Sequence, residues 1–390
     1  MKVRRALGIT GISQAVTFVL SFASVVIVSR LLKPEEIGIY SVAVSILGLA
    51  HIFREFGVGE YLVQARHVGE REFRAAFSVA IITSWLIALV LFLLRTPMST
   101  LYGHAGIGEV LLLLAMNFVV LPLGTPVMAM MRRDLQFNRI AVLQMAGAVV
   151  QTGVTIAAAW MEQSYLSMAW GSIAMTLSKV MVVNLMRPGE TFILPSMQGV
   201  REVLKFGGVA SVAAVVRQAG TAAPDLIFGR TLGFAEVALF SRGVGLYRMI
   251  VERVYALVRG VHFPNFAGDL RRGGDGAALY CQATNYLVGV VAPVLAVLAV
   301  LSQPLILFVF GEQWSRSVWV SVVICCASIL TAPYSLCGLS LTAAGAVGIG
   351  LRLELVAQSV KVLALLTSIW WPLEQVVLLL SLSYLCEAVV

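Results

Sequence analysis

Arg217, Arg242 and Arg248 stand inside stretches otherwise long and apolar enough to cross a bilayer. A charge at bilayer centre costs ~2.5–3.5 kcal/mol on insertion scales, so it persists where it pairs, faces water or meets a substrate. A guanidinium keeps its charge and grips phosphate or carboxylate oxygens through two donors. The chemistry on offer is therefore holding an anion in a wet cavity. Arg217 lies near the middle of the stretch 205–229, about 16 Å of helix from either end and too far to snorkel easily. Asp225, eight residues on, sits about 80° around the same helix and is a poor partner for it. The next stretch carries Arg242, Arg248, Glu252 and Arg253. Arg248 and Glu252 have the i,i+4 spacing of an ion pair, and with Tyr255 and Arg259 they form one polar stripe. Arg242 and Arg253 share a second stripe. Such a helix either packs among others with internal ion pairs or walls a cavity, with Arg242 and Arg248 the deeper residues. Arg217, Arg242 and Arg248 are thus the candidate substrate-binding cations. Asp225, Glu252 and Arg253 are candidates for cavity lining or pairing. Arg54 and Glu55 close the second stretch and are candidates for a gate.

The remaining polar groups fit packing better than chemistry. Gln14, Asn117, Gln144 and Gln151 suit helix–helix hydrogen bonds, as do Gln282 and Asn285. Glu354, Gln358 and Lys361 share one helix face and suit structural pairing. Arg30 and Arg230 are anchors at helix ends, and Lys179 is expected to snorkel. The five cysteines all fall in or beside apolar stretches without metal-ligand spacing, and the four histidines form no ligand pattern. No phosphate-binding glycine loop follows a strand. Neither a metal, a cofactor nor a catalytic set is expected.

The elements that carry these residues follow from composition. Of 390 residues, 12% are charged and 59% apolar, against about 25% and 45–50% in soluble domains. Mean hydropathy is +0.91. A soluble chain could not hide that much apolar surface, which excludes soluble enzymes and nucleic-acid binders despite the net charge of +8. Helical spans are expected near 7–31, 37–58, 73–94, 108–130, 140–161, 165–186, 205–229, 234–258, 279–302, 317–341, 349–371 and 373–390. Pro293 and Pro304 can kink a single long ninth helix that runs on to Phe310. Twelve spans consume about 240 residues and leave only short connections. The basic start Met1–Arg5 leads into an apolar run too long for a signal peptide, so it reads as an uncleaved first span. With the N-terminus inside, 17 of the 28 Lys and Arg fall in cytoplasmic segments, 5 in outer ones and 6 within spans. That bias predicts both termini in the cytoplasm.

The sequence also repeats itself. Residues 29–41 (SRLLKPEEIGIYS) and 229–241 (GRTLGFAEVALFS) share Arg, Leu, Glu and Ser at an offset of 200 residues. Each copy opens a half made of an apolar helix, an arginine, a short turn and a second helix. Six spans separate the copies, so they have the same orientation. The expected fold is all-α and polytopic: an N-terminal six-helix lobe at 1–186, a cytoplasmic linker at 187–204 and a C-terminal six-helix lobe at 205–390. Two such lobes facing a cavity is a transporter layout.

Arg30–Tyr40, Phe53–Val58 and Leu62–Gln64 resemble the opening of polysaccharide-transport flippases of the Wzx type, in the multidrug/oligosaccharidyl-lipid/polysaccharide superfamily. Gly229–Gly233, His262–Phe266 and Phe310–Trp314 extend the resemblance in order along most of the chain. It departs at Ala238-Leu239-Phe240, where the family usually has Gly-x-Tyr. The sequence also ends within the twelfth span with no polar tail, as a shortened chain or one lacking two further spans would. The resemblance implies a flippase in the bacterial inner membrane that moves undecaprenyl-pyrophosphate-linked oligosaccharide by alternating access, beside other polysaccharide assembly proteins. It implies no enzyme and no nucleic-acid partner. Rival readings are a multidrug exporter or lipid II flippase of the same superfamily, and a membrane-embedded polymerase or ligase. An exporter of cationic drugs would want carboxylates at depth. A polymerase would want a large outer loop.

Overall fold

The computed structural model describes residues 2–54, 62, 69–188, 196, 211–274 and 276–389. Every regular element among them is helical, as the sequence predicts. The chain forms two compact units, Met1–Gln218 and Ala219–Val390. Most of the anticipated linker 187–204, and Glu55 of the candidate gate, lie outside the described residues.

The first unit contains α1 (Lys2–Leu31), α2 (Pro34–Arg54), α3 (Glu70–Tyr102), α4 (Ala105–Val120), the short α5 (Thr125–Arg133), α6 (Phe137–Trp160) and α7 (Leu166–Met186). α8 (Ser211–Thr231) begins in the first unit and ends in the second. The second unit continues with α9 (Phe234–Arg271), α10 (Ala277–Val309), α11 (Ser317–Thr331), α12 (Cys337–Ala343), α13 (Val347–Leu366) and α14 (Leu373–Val389). α10 is one uninterrupted helix through Pro293 and Pro304, as anticipated.

The two units use the same order of parts. A 33-residue helix with a proline near its end, α3 with Pro97 or α10 with Pro304, leads to a tight turn. The helix after it breaks at a proline. In the first unit a 3-10 turn over Leu121–Leu123, containing Pro122, separates α4 from α5. In the second a 3-10 turn over Ala332–Tyr334, containing Pro333, separates α11 from α12. Proline removes the amide that would continue the ladder, so each expected fourth span is two rods. A pair of helices closes each unit. The repeated glutamates also do matching work. Glu36 accepts from the Lys33 amide (2.7 Å) and from the Ser164 hydroxyl, while Glu236 receives Arg316 at 2.5 Å. Gly233 starts α9 at φ 98°, a left-handed conformation that favours glycine.

Side chains divide along the helices as a bilayer requires. In each unit one set of ends gathers Lys and Arg. The opposite ends carry tryptophan: Trp160 and Trp170 in the first unit, Trp314, Trp319, Trp370 and Trp371 in the second. Within each unit these ends are where the amphipathic rings of tryptophan prefer to lie, with Trp314 the buried exception. Large apolar side chains between the two sets of ends face outward, as with Val300, 80% exposed. Lipid is as apolar as leucine, so helices here associate through close packing and polar contacts. A Cβ on Gly171 of α7 would fall 1.8 Å from Thr155 Oγ1 of α6, so the two backbones meet there. Gly147 of α6 likewise receives the alkyl stem of Lys179, which packs across α6. Asn117 of α4 donates to Ser172 of α7 at 3.2 Å, the helix–helix bond its sequence position suggested.

A candidate site on the charged helices

Among the described residues, eight helical segments are long and apolar enough to cross a membrane, with α11 and α12 counted together as residues 317–343, and residues 373–384 form a shorter apolar one. α8, α9 and α13 are as long but fall outside that set because they carry ionisable residues. Polar character is thus concentrated on three helices that reach into or lie within the second unit.

On α8, Arg217 is exposed and lies fourteen residues before Thr231, about 21 Å along the axis from the tryptophan end. Asp225 is half-buried, one to two turns from that end. Between them, Pro224 cannot donate to the Gly220 carbonyl one turn back, so the ladder opens there. Gly220 leaves the space that the Gln358 side chain of α13 fills. Gln358 Nε2 donates to Glu354 Oε1 at 2.9 Å, which joins two of the three residues expected to pair on that face. The third, Lys361, is buried with its ammonium 5.8 Å from the Tyr384 ring centre.

On α9 the charged residues from Arg242 to Arg259 separate. Arg242 is half-buried, its guanidinium 5.5 Å from the centre of Trp314 and 5.8 Å from that of Phe310. Both rings are fully enclosed, held by the turn at Gly311 (φ 108°). Arg242 thus sits in an aromatic setting that the sequence spacing did not suggest. Arg248 is exposed, fourteen residues after Phe234 and about 21 Å from the tryptophan end. Glu252 is exposed one turn further, and the ion pair anticipated between them is not among those of the described residues. Arg253 is exposed too. Arg259 lies over the Tyr255 ring at 5.6 Å. Arg54, the described half of the candidate gate, is half-buried at the end of α2, one turn beyond the His51–Phe118 ring contact.

At the tryptophan end of the second unit, Arg316 bonds three helices together. It donates to Glu236 of α9 at 2.5 Å and to Glu374 of α14 at 2.7 and 3.2 Å, from its own place at the start of α11. Those hydrogen bonds, Glu374 first and Glu236 second, hold Arg316 above its ordinary range. Trp319 adds a bond to the Glu374 carbonyl at 3.4 Å. Sequence spacing gave no sign of this cluster, because its members are 80 and 58 residues apart.

An arginine two-thirds of the way across a hydrocarbon layer is tolerated where it pairs, faces water or meets an anion. Residues 27–319 match the polysaccharide biosynthesis protein family. The chain belongs to that family. Among curated members of known name, it is 26% identical over 322 residues to the succinoglycan biosynthesis transport protein ExoT of Rhizobium meliloti (strain 1021), covering 80% of this chain and 63% of that protein. It is 20% identical over 327 residues to the lipopolysaccharide biosynthesis protein WzxC of Escherichia coli (strain K12), covering 82% and 66%. The chain thus spans about two thirds of the length of these relatives. In fold it is similar to the inward closed conformation of the lipid II flippase MurJ, with TM-score 0.78, 11% identity, and 97% and 86% of the two chains covered. This polysaccharide biosynthesis family member is accordingly a multi-pass membrane protein whose fold is similar to that of the flippase just named.

Proposed function

We propose that this protein is a flippase for undecaprenyl-pyrophosphate-linked oligosaccharide repeat units, carrying them across the bacterial inner membrane for surface polysaccharide or lipopolysaccharide assembly. Family membership supports a role in polysaccharide biosynthesis. One structural observation supports the reading further: Arg217 and Arg248 are exposed residues, each about 21 Å along its helix from the tryptophan end. A pyrophosphate must pass an apolar barrier, and fixed guanidinium groups facing water lower it. Affinity must stay moderate for release. The chain's own part is binding and reorientation by alternating access, with no bond made or broken. Under this reading the N-terminus is cytoplasmic, the basic ends face the cytoplasm, and the tryptophan ends face the periplasm. Substrate-synthesising and polymerising proteins of the same assembly line are its partners. The excess of exposed arginine over carboxylate at depth favours an anionic headgroup over a cationic drug.

The test is surface polysaccharide in a strain lacking its own flippase, measured beside the amount of this protein in the membrane. Arg217→Ala is expected to abolish or strongly impair export at normal membrane level, with Arg217→Lys restoring only part. Arg248→Ala should impair it less. Full export by Arg217→Ala at normal level would remove this residue from the mechanism.

A further inference from the structure

The fourth span of each unit breaks at a proline, and the short helix beyond the break is held in two different ways. In the first unit α5 is fixed by apolar packing. Its Val127 and Met131 share a buried cluster with Phe73 of α3, Leu143 of α6 and Val183 of α7. Its Ala129 shares another with Leu62 and with Ala75, Ala76 and Val79 of α3. Arg133, the last residue of α5, then donates to the Leu62 carbonyl at 2.8 Å. In the second unit the same tie recurs with other chemistry. His262 stands 200 residues after Leu62, and its Nε2 shares a 2.9 Å hydrogen bond with the Ser340 hydroxyl of α12. Little apolar packing accompanies it, because Ser340 alone among the described residues of α12 is buried. His262 itself is buried, walled by the Phe266 and Tyr280 rings at 5.3 and 6.4 Å.

Both ends of α12 are built to turn. Before it lies the 3-10 turn over Ala332–Tyr334, whose Pro333 carbonyl accepts from the Tyr280 hydroxyl of α10 at 3.1 Å and is pinned by it. After it Gly345 turns the chain at φ 78°, where a side chain would be strained. A Cβ added to Gly338, Gly345, Gly348 or Gly350 would meet nothing within 4 Å, so the helix and its exit have open space at these points. The seam between α9 and the broken span is lined with hydroxyls. Tyr247 and Tyr255 set theirs beside Ser328 and Ser335, on the face of α9 that carries His262. Hydroxyls change partners by rotating, whereas close-packed apolar side chains must repack. We propose that α12 is a flap that pivots on the pinned turn at Pro333 and on Gly345, that the His262–Ser340 bond latches it shut against α9, and that it opens while the rest of the unit stays folded. α5, at the corresponding place, is a fixed part of its own unit. A carrier working by alternating access needs parts that give way locally. That use of the flap rests on the function proposed above; its opening does not.

The experiment is amide hydrogen exchange of the full chain in lipid nanodiscs, read by mass spectrometry. Residues 337–346 should exchange at least about tenfold faster than residues 125–133. Ser340→Ala and His262→Ala should each speed the exchange of 337–346 by a further factor of about five to ten, with 125–133 unchanged. His262→Gln, whose amide nitrogen can stand where Nε2 does, should restore most of the protection. Should His262→Ala fail to fold, Ser340→Ala, which removes only a hydroxyl, carries the test. Exchange of 337–346 as slow as that of 125–133, no gain in Ser340→Ala, or a gain spread evenly over the second unit would each overturn the flap. Because the rates are read on the purified chain, a failure to export polysaccharide in cells would strike the proposed function and leave the flap standing.

Discussion

Removing the guanidinium of Arg316 should loosen the second unit by an amount that its contacts let us work out. Arg316 is half exposed, Glu236 is 18% exposed and Glu374 is 39% exposed. A sheltered hydrogen bond to a charged group contributes about 1.5–3 kcal/mol, and an exposed ion pair about 0.2–1 kcal/mol. The Glu236 bond belongs near the bottom of the first range, at about 1.5 kcal/mol, because its donor is half in solvent. The Glu374 pair adds roughly 0.5–1 kcal/mol. Glu236 Oε2 is buried without a hydrogen-bond partner, so Arg316→Ala leaves that carboxylate with less compensation still. The expected loss is about 2–3 kcal/mol. At roughly 2–4 °C per kcal/mol for a unit of this size, Tm should fall by about 4–12 °C. Thermal unfolding of the purified chain, followed by tryptophan emission, gives the readout. Glu374→Ala should cost about 0.5–1 kcal/mol, and the Arg316→Ala/Glu236→Ala cycle should show coupling of about 1 kcal/mol or more. A Tm for Arg316→Ala within 1 °C of the parent, or strictly additive singles, would refute the idea that this cluster ties the three helices.

Two further changes probe packing and Arg242. Gly171→Ala puts a Cβ 1.8 Å from Thr155 Oγ1 and 3.0 Å from the Gln151 carbonyl, so it should cost about 1–3 kcal/mol, with Thr155→Ala recovering only part because the carbonyl remains; additive melting shifts would sink this. Arg242→Ala loses contact with two rings, worth ~0.5–2 kcal/mol each, so membrane level and transport should fall together. An Arg242→Ala protein at full level that fails to transport would instead move this residue into the substrate path.

Hydropathy and spacing carried the helices, because a bilayer imposes one length and one polarity on each span. They placed α10 through two prolines, and the offset between Glu36 and Glu236 announced the repeated order of parts. They did not show that Pro122 and Pro333 split their spans, since both lie in runs apolar enough to read as continuous. Arg242 could be placed at depth on its helix, but which rings would enclose it depends on Phe310 and Trp314, some 70 residues away and brought back by the turn at Gly311. The Arg248–Glu252 spacing permitted an ion pair; both side chains are exposed instead, a difference in rotamer that no one-dimensional pattern contains. Short polar motifs reveal what a helix can offer, while its neighbours decide which offer is taken.

α9 also has a mechanical consequence. From Phe234 to Val258 it runs about 36 Å without a proline, anchored at its start by the bond from Arg316 to Glu236. A rigid rod of that length, pivoting by 10° at the anchor, swings its far end by about 6 Å. Movement too small to disturb the anchor is thus magnified at the opposite face of the membrane, where the lever ends among headgroups. Whatever the far end of α9 touches rides on the long arm, so load on that arm and freedom at the pivot are two sides of one mechanical balance.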